Sequence, residues 1–128
     1  MSEGLMSGGG GKEFKYPGDL LWTNPTPSTF AAQTLTLDTS KYEVIRIVIS
    51  AYKEDPAYQN GIKQNYIIDK NDGQTFHILG CDYSTDYFMI RKVRNITDSA
   101  LTFDIGLHSD ASHEAYAVPY QIYGVVKK

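Results

Sequence analysis

Four side chains of metal-ligand type lie close together near the C-terminal end of the sequence: His108, Asp110, His113 and Glu114. Imidazole nitrogens and carboxylate oxygens bind transition metals when they converge on one point. His108 ends a predicted strand and the other three fall in a loop, so the sequence allows convergence but does not enforce it. A solvated polar loop is the favoured interpretation. No metal is assigned, and His108, Asp110 and His113 are kept as the alternative.

The other residues with catalytic potential do not form a recognisable enzyme motif. His77 stands in a predicted strand on the face opposite to Phe76 and Ile78, and no serine or cysteine occupies a glycine-flanked nucleophile turn. The carboxylates lie mostly in turns, where their spacing does not indicate a glycosidase pair. The tract Gly8–Gly11 lacks the strand, lysine and helix of a phosphate-binding loop. The sequence therefore predicts no enzymatic activity and no cofactor.

Aromatic residues in two polar segments favour ligand binding. Tyrosine rings beside carboxylate and amide groups can stack on a sugar face while the polar groups bind its hydroxyls. The candidate ligand-binding residues are Asp55, Tyr58, Gln59 and Asn60 in the first segment, and Asp82, Tyr83 and Asp86 in the second. The structural alternative is that these tyrosines only close the ends of the fold.

Composition limits the classes of partner. The formal net charge is -3 and charges of both signs are interspersed, which is a pattern typical of a soluble surface. No basic stripe is present for nucleic acid, so a DNA or RNA partner is not expected. The N-terminus lacks the features of a secretory signal, and no run approaches the roughly twenty apolar residues of a membrane span. Membrane insertion is therefore not expected.

The elements that would position these residues are β-strands. In Glu43–Tyr52, Ile45, Ile47, Ile49 and Ala51 share one face, and the other face is mixed. One apolar and one mixed face is typical of an antiparallel sheet or sandwich. Ala100–His108 alternates in the same way. The predicted core residues are Leu35, Leu37, Ile45, Ile47, Ile49, Leu101, Phe103, Ile105 and Leu107.

About eight short strands separated by turn signals predict an all-β fold with little or no helix. We expect an antiparallel β-sandwich, jelly-roll-like or immunoglobulin-like, over residues 18–128. Residues 1–17 are glycine-rich and lack apolar periodicity, so they are predicted to be a flexible N-terminal linker. Because the ends of a single domain often lie close together, Trp22 and the Pro25–Pro27 segment are expected to pack near the last strand, with Trp22 at least half buried.

Both ends of the predicted domain resemble a family of phage proteins. The stretch Leu20–Asp38, which reads LLWTNPTPSTFAAQTLTLD, and the ending Val118–Val125, which reads VPYQIYGV, are similar to the C-terminal β-sandwich module of tail-fibre or minor structural proteins from phages and prophages of Firmicutes-type bacteria. The resemblance covers roughly residues 18–128, and the middle of the chain matches less specifically. It carries no catalytic residues over to this sequence.

The resemblance implies a non-enzymatic virion part, namely a tail-fibre tip or receptor-binding domain that recognises a bacterial surface glycan or another envelope ligand. Such parts are usually homotrimers, and Val44, Val48 and Tyr52 with Tyr120 or Tyr123 are the predicted contact strip. The alternative is a carbohydrate-binding module of a secreted or cell-surface bacterial protein. The implied location is the phage tail in the first case and the outside of the cell in the second.

Overall fold

A computed structural model describes residues 14–52, 63–84, 87–109 and 111–128. These residues form ten strands and no helix: β1 (Phe14–Thr23), β2 (Gln33–Thr36), β3 (Tyr42–Tyr52), β4 (Lys63–Asp69), β5 (Phe76–Ser84), β6 (Tyr87–Arg94), β7 (Ala100–Phe103), β8 (Gly106–His108), β9 (Ala111–His113) and β10 (Tyr116–Lys127). Across these ranges, no helix is long and apolar enough to cross a membrane.

The strands form two antiparallel sheets, so the predicted all-β, sandwich-like fold is confirmed. The first sheet has the order β1-β10-β3-β4. The second has six strands along the path β2-β7-β6-β8-β9, with β5 paired to β6. The strand β6 pairs with both β7 and β8, so these two short strands follow one another along the same neighbour. The fold therefore divides the predicted strand Ala100–His108 into two.

The core lies between the sheets and is organised around β3, as its apolar face predicts. Ile45, Ile47 and Ile49 are fully buried. They pack with Leu101 and Phe103 of the second sheet in one cluster. Leu35 and Leu37 are only partly buried and pack against that cluster, because Leu35 lies in β2, a short strand on the edge of its sheet, and Leu37 follows directly after that strand.

A β-bulge between β7 and β8 changes which side chains face inward. Val93 pairs with Phe103 and Ile90 with Leu107, so β6 advances three residues while its neighbour advances four. The extra residue reverses the alternation of faces after Phe103. Gly106 becomes the buried position, and a Cβ there would lie 2.1 Å from the carbonyl oxygen of Tyr116. The prediction that Ile105 and Leu107 are core residues is therefore wrong, since both remain partly exposed.

The two ends of the domain are neighbours in the first sheet. The last strand, β10, pairs with β1, and Trp22 stands opposite Ile122. Trp22 is largely buried against the core, which confirms both its predicted burial and its predicted position near the last strand. The first strand begins at Phe14, opposite Val126, so residues 14–17 belong to the sheet. The first strand thus begins within the residues predicted as a linker.

The outer face of β3 is not the exposed apolar strip that the sequence suggested. Val48 is buried, and beside it the Arg46 guanidinium lies 4.1 Å from the centre of the Tyr123 ring. The ring of Tyr120 lies under Lys63 in the same way, at 4.8 Å. Cation–π packing of this kind covers aromatic surface with charged groups. The Tyr52 side chain lies outside the described part of the chain.

Large apolar side chains are exposed on both sheets: Leu20 of β1 and Ile67 of β4 on the first, and three residues on the second. Phe76 and Ile78 of β5 and Phe88 of β6 are 41%, 51% and 55% exposed. They share one face because Phe76, Ile78 and Gly80 alternate along β5, and the Phe88 ring packs over Gly80. We call this group the β5–β6 face.

Candidate functional site

Most of the sequence-predicted binding residues lie outside the described residues. This holds for Asp55, Tyr58, Gln59, Asn60 and Asp86.

Asp82 and Tyr83 were predicted to be in a polar connection, but they lie within β5. The strand continues to Ser84 because its pairing with β6 extends to Tyr87, which leaves only residues 85–86 between the two strands. The side chains of Asp82 and Tyr83 are outside the described part of the structure. Their ligand-binding role therefore stays a prediction.

The strands that flank the two predicted binding segments stop at the same end of the sandwich. In the first sheet, β3 ends beside the start of β10, with Tyr52 opposite Tyr116, and β4 begins next to it. In the second sheet, β5 ends and β6 begins on the same side, because Arg91 in the middle of β6 reaches the carbonyl oxygen of Tyr116. We call this end of the sandwich the loop end. Segments 53–62 and 85–86 both connect strands there.

The candidate metal ligands are also near the loop end. His108 and His113 both contact the Tyr116 ring, with centroid distances of 6.2 and 5.4 Å. His113 Nδ1 accepts a hydrogen bond from the Ala115 backbone N–H at 3.0 Å, which leaves only Nε2 of that ring for another partner. The described residues contain no group of three potential ligands, and Asp110 lies outside them.

The loop end also carries a cleft that was not predicted, with a volume of about 320 Å³. We call it the Trp22 cleft. Its walls come from the end of β1, the segment that leads to β2, and the turn before β10; the lining residues are Trp22, Asn24, Pro25, Thr26, Thr29, Phe30, Ala31, Gln33, Leu35 and Glu114. Trp22 and Phe30 meet edge to face, with ring centroids 5.7 Å apart. The cleft is thus an aromatic site bordered by amide, hydroxyl and carboxylate groups.

Local sequence shapes one wall of this cleft. The Asn24 side-chain oxygen accepts the Thr26 backbone N–H at 2.8 Å, which is an Asx turn, and prolines at 25 and 27 restrict the same segment. The Asn24 amide donates to the Pro119 carbonyl at 2.9 Å. Asn24 is almost fully buried, so it holds the segment to β10 and is not available to a ligand.

Arg91 holds the backbone of the opposite wall of the cleft through hydrogen bonds made inside the protein. It is completely buried, and its N–H groups donate to five backbone carbonyls, those of Phe30, Asp104, Glu114, Tyr116 and Ala117, at 2.8 to 3.2 Å. Five is the full donor capacity of a guanidinium. Burial lowers the Arg91 pKa to about 10, with the Glu114 charge opposing this, so the group stays charged at neutral pH.

The charges of Arg91, Lys92 and Arg94 predict that one face or edge of this strand meets water. Lys92 and Arg94 lie on the outer side of β6, but Arg91 does not. The alternation of β6 was the signal: Met89 and Val93 are core residues, and Arg91 lies between them on the same face. A charged residue at an inward position of a strand indicates a buried hydrogen-bonded anchor.

The polar groups at the mouth of the Trp22 cleft are only partly used by the protein. Glu114 Oε1 accepts the Thr29 hydroxyl at 3.1 Å, and the Gln33 amide nitrogen donates to the Ala31 carbonyl at 3.1 Å. Both Glu114 and Gln33 are exposed. The remaining carboxylate and amide oxygens can accept hydrogen bonds from a bound molecule, while the indole of Trp22 supplies an apolar surface.

A second concave region runs between β4 and β5 at the opposite end of the sandwich. It consists of two neighbouring cavities of about 200 and 300 Å³ that share Ile68, Gln74, Thr75 and His77. Polar groups in it pair within the protein: Arg94 lies 3.0 Å from Asp104 and His77 lies 3.7 Å from Asp72. Because these groups already pair with each other, this groove is a weaker binding candidate than the Trp22 cleft.

Comparisons of the chain with protein-family models, with curated proteins and with solved structures gave no significant match.

Proposed function

We propose that this chain is a non-enzymatic module of a phage or prophage virion, a tail-fibre tip or receptor-binding domain that binds a bacterial surface glycan. The observation that carries the binding function is the Trp22 cleft, which combines an indole with carboxylate, amide and hydroxyl groups at one end of a rigid sandwich. The virion setting rests on the resemblance of residues 18–128 to phage tail modules.

The Trp22 cleft and the resemblance to phage tail modules involve the same residues. Most of the cleft is built by the stretch on which the resemblance rests: Trp22, Asn24 and Phe30 all belong to it. Asn24 and Phe30 are buried, whereas Trp22 is partly exposed and Gln33 is exposed. A motif that both folds the domain and lines its cleft is consistent with a binding module whose middle region varies.

Binding in such a cleft combines stacking with hydrogen bonding. A sugar ring lies against the indole, and its hydroxyl groups bond to the polar groups around it. One such site is weak, with a Kd on the order of millimolar to micromolar, and three copies on one fibre raise the effective affinity by roughly two to four orders of magnitude.

The first test replaces the aromatic surface of the cleft. Trp22→Ala is expected to weaken binding to host cells or purified envelope glycan by at least about tenfold, because it removes the stacking platform. Binding is measured by cell pull-down and by isothermal titration. Circular dichroism and melting temperature verify that the variant is folded. Gln33→Ala alters only a surface amide and measures what that amide contributes to binding.

Ile67→Ala is the control for this test, since Ile67 is an exposed apolar residue of β4 that lies outside both the Trp22 cleft and the β5–β6 face. It should bind as the parent does. Tyr58→Ala and Tyr83→Ala probe the neighbouring segments and should weaken cell binding with little change in melting temperature. If the parent binds neither cells nor envelope glycans, the receptor-binding function is wrong and a purely structural virion role replaces it.

A second expectation concerns oligomeric state. We propose a homotrimer, and the β5–β6 face provides exposed apolar surface for subunit contact. Light scattering at high micromolar concentration should give the trimer mass, and Ile78→Glu should shift it to the monomer because a charge would be buried in the contact. A parent protein that scatters as a monomer under these conditions contradicts the trimer.

The same cleft chemistry would serve a carbohydrate-binding module of a secreted or cell-surface bacterial protein. The ligand separates the two functions. Binding to intact bacteria and their envelope glycans supports the virion module, whereas binding confined to soluble or insoluble polysaccharides supports the alternative.

A further inference from the structure

We infer that the Trp22 cleft selects neutral or amino sugars and rejects glycans that carry carboxylate or phosphate groups. This inference rests on the proposed glycan-binding function and adds the chemical class of the ligand. Two observations carry it: the hydrogen-bonding capacity left at the mouth of the cleft, and the charges of the residues that line it.

The groups left for a ligand include two acceptors, beside the donors of the Trp22 indole and the second Gln33 amide proton. Thr29 uses its hydroxyl proton on Glu114 Oε1, and Gln33 uses one amide proton on the Ala31 carbonyl. Glu114 Oε2 and Gln33 Oε1 accept no hydrogen bond from the described residues. A carboxylate and an amide oxygen without donors require a ligand that donates. Sugar hydroxyl, acetamido N–H and ammonium groups donate, whereas an ionised carboxylate or phosphate only accepts.

The charges of the residues that line the cleft also disfavour an anionic ligand. Glu114 is the one ionisable residue among those that line it. Arg91 bonds the backbone carbonyls of the lining residues Phe30 and Glu114, but it is fully buried and has all five N–H groups on backbone carbonyls. It therefore cannot form the bidentate contact with which arginine binds carboxylate or phosphate. An anionic ligand would meet the Glu114 carboxylate with no cation among the lining residues to contact it.

Matched pairs of sugars test this selectivity. The probes are glucose with glucuronic acid, galactose with galacturonic acid, and N-acetylglucosamine with N-acetylmuramic acid, each titrated into labelled protein and followed by NMR. The chain contains a single tryptophan, so the one indole N–H resonance reports directly on Trp22. The neutral member of at least one pair should shift this resonance with an affinity at least about tenfold higher than that of its acidic partner.

The Glu114→Gln variant tests the effect of the Glu114 charge alone. It keeps an oxygen that can accept the Thr29 hydroxyl but removes the repulsion, so the ratio of neutral to acidic affinity should fall to about one. Raising the salt concentration should narrow the ratio in the parent, because ions screen exposed charges, and should leave the variant unchanged. A loss of affinity without a change in the ratio would indicate a merely structural effect and would contradict the inference.

The outcomes separate this inference from the proposed function. If neutral and acidic partners shift the indole resonance equally, or the acidic partner binds more tightly, the charge selectivity is wrong while glycan binding in the cleft stands. If sugars shift only resonances of other residues, the chain binds glycans elsewhere and the selectivity assigned to the cleft is wrong. If neither these sugars nor envelope glycans bind, both proposals fail.

Discussion

Arg91→Met is expected to lower the free energy of unfolding by at least about 3 kcal/mol, which is a large part of the roughly 5 to 15 kcal/mol that stabilises a typical domain. Methionine fills much of the space but donates no hydrogen bond. Five carbonyl oxygens now bonded to the guanidinium would lose that partner inside the protein, and each buried unsatisfied group is costly. Chemical denaturation followed by circular dichroism measures the change.

Two variants on the same strand and at the same site make this result interpretable. Arg91→Lys keeps the charge with three donors in place of five, so its stability should lie between those of the parent and Arg91→Met. Arg94→Lys changes an exposed arginine whose ion pair with Asp104 is at the surface, where such pairs contribute about 0 to 1 kcal/mol. An Arg91→Met protein as stable as Arg94→Lys would show that Arg91 is not the anchor of the loop end.

Phe103→Ala is expected to destabilise the domain by roughly 3 to 5 kcal/mol, as large-to-small changes in packed cores do. Phe103 is fully buried and meets Phe30 edge to face, with centroids 5.3 Å apart. Because Phe30 also contacts Trp22, the cavity left by Phe103 would loosen the base of the Trp22 cleft. The variant should therefore lose affinity for envelope glycan as well as stability, and denaturation and titration measure the two effects.

Ile67→Ala is the large-to-small change at the surface, since Ile67 of β4 is 57% exposed and lies outside the β5–β6 face. It should alter the free energy of unfolding by less than about 1 kcal/mol. Similar losses for Ile67→Ala and Phe103→Ala would remove Phe103 from the core. A destabilised Phe103→Ala that keeps parental glycan affinity would show that the cleft does not depend on this aromatic contact.

Sequence alone determined the fold class and much of the inner face. The alternation of Ile45, Ile47 and Ile49 required a strand with one apolar side, and burial of that side is the strongest local signal in the chain. The predicted burial of Leu101 and Phe103 is confirmed for the same reason. The pairing of the first strand with the last was also predictable, because the ends of a single domain tend to be close.

Tertiary structure alone decided the orientation of Ile105 and Leu107, the burial of Arg91 and the presence of the Trp22 cleft, because the contacts that determine these features join residues far apart in sequence. One inserted residue opposite Ile90–Val93 reversed the faces of Ile105 and Leu107, and no local pattern fixes the register of a neighbouring strand. Charge suggested that Arg91 meets water, yet carbonyls from three other parts of the chain satisfy it. The Trp22 cleft likewise exists only where residues 22–35 meet Glu114, since a cleft is formed by the packing of separate segments and not by any one of them.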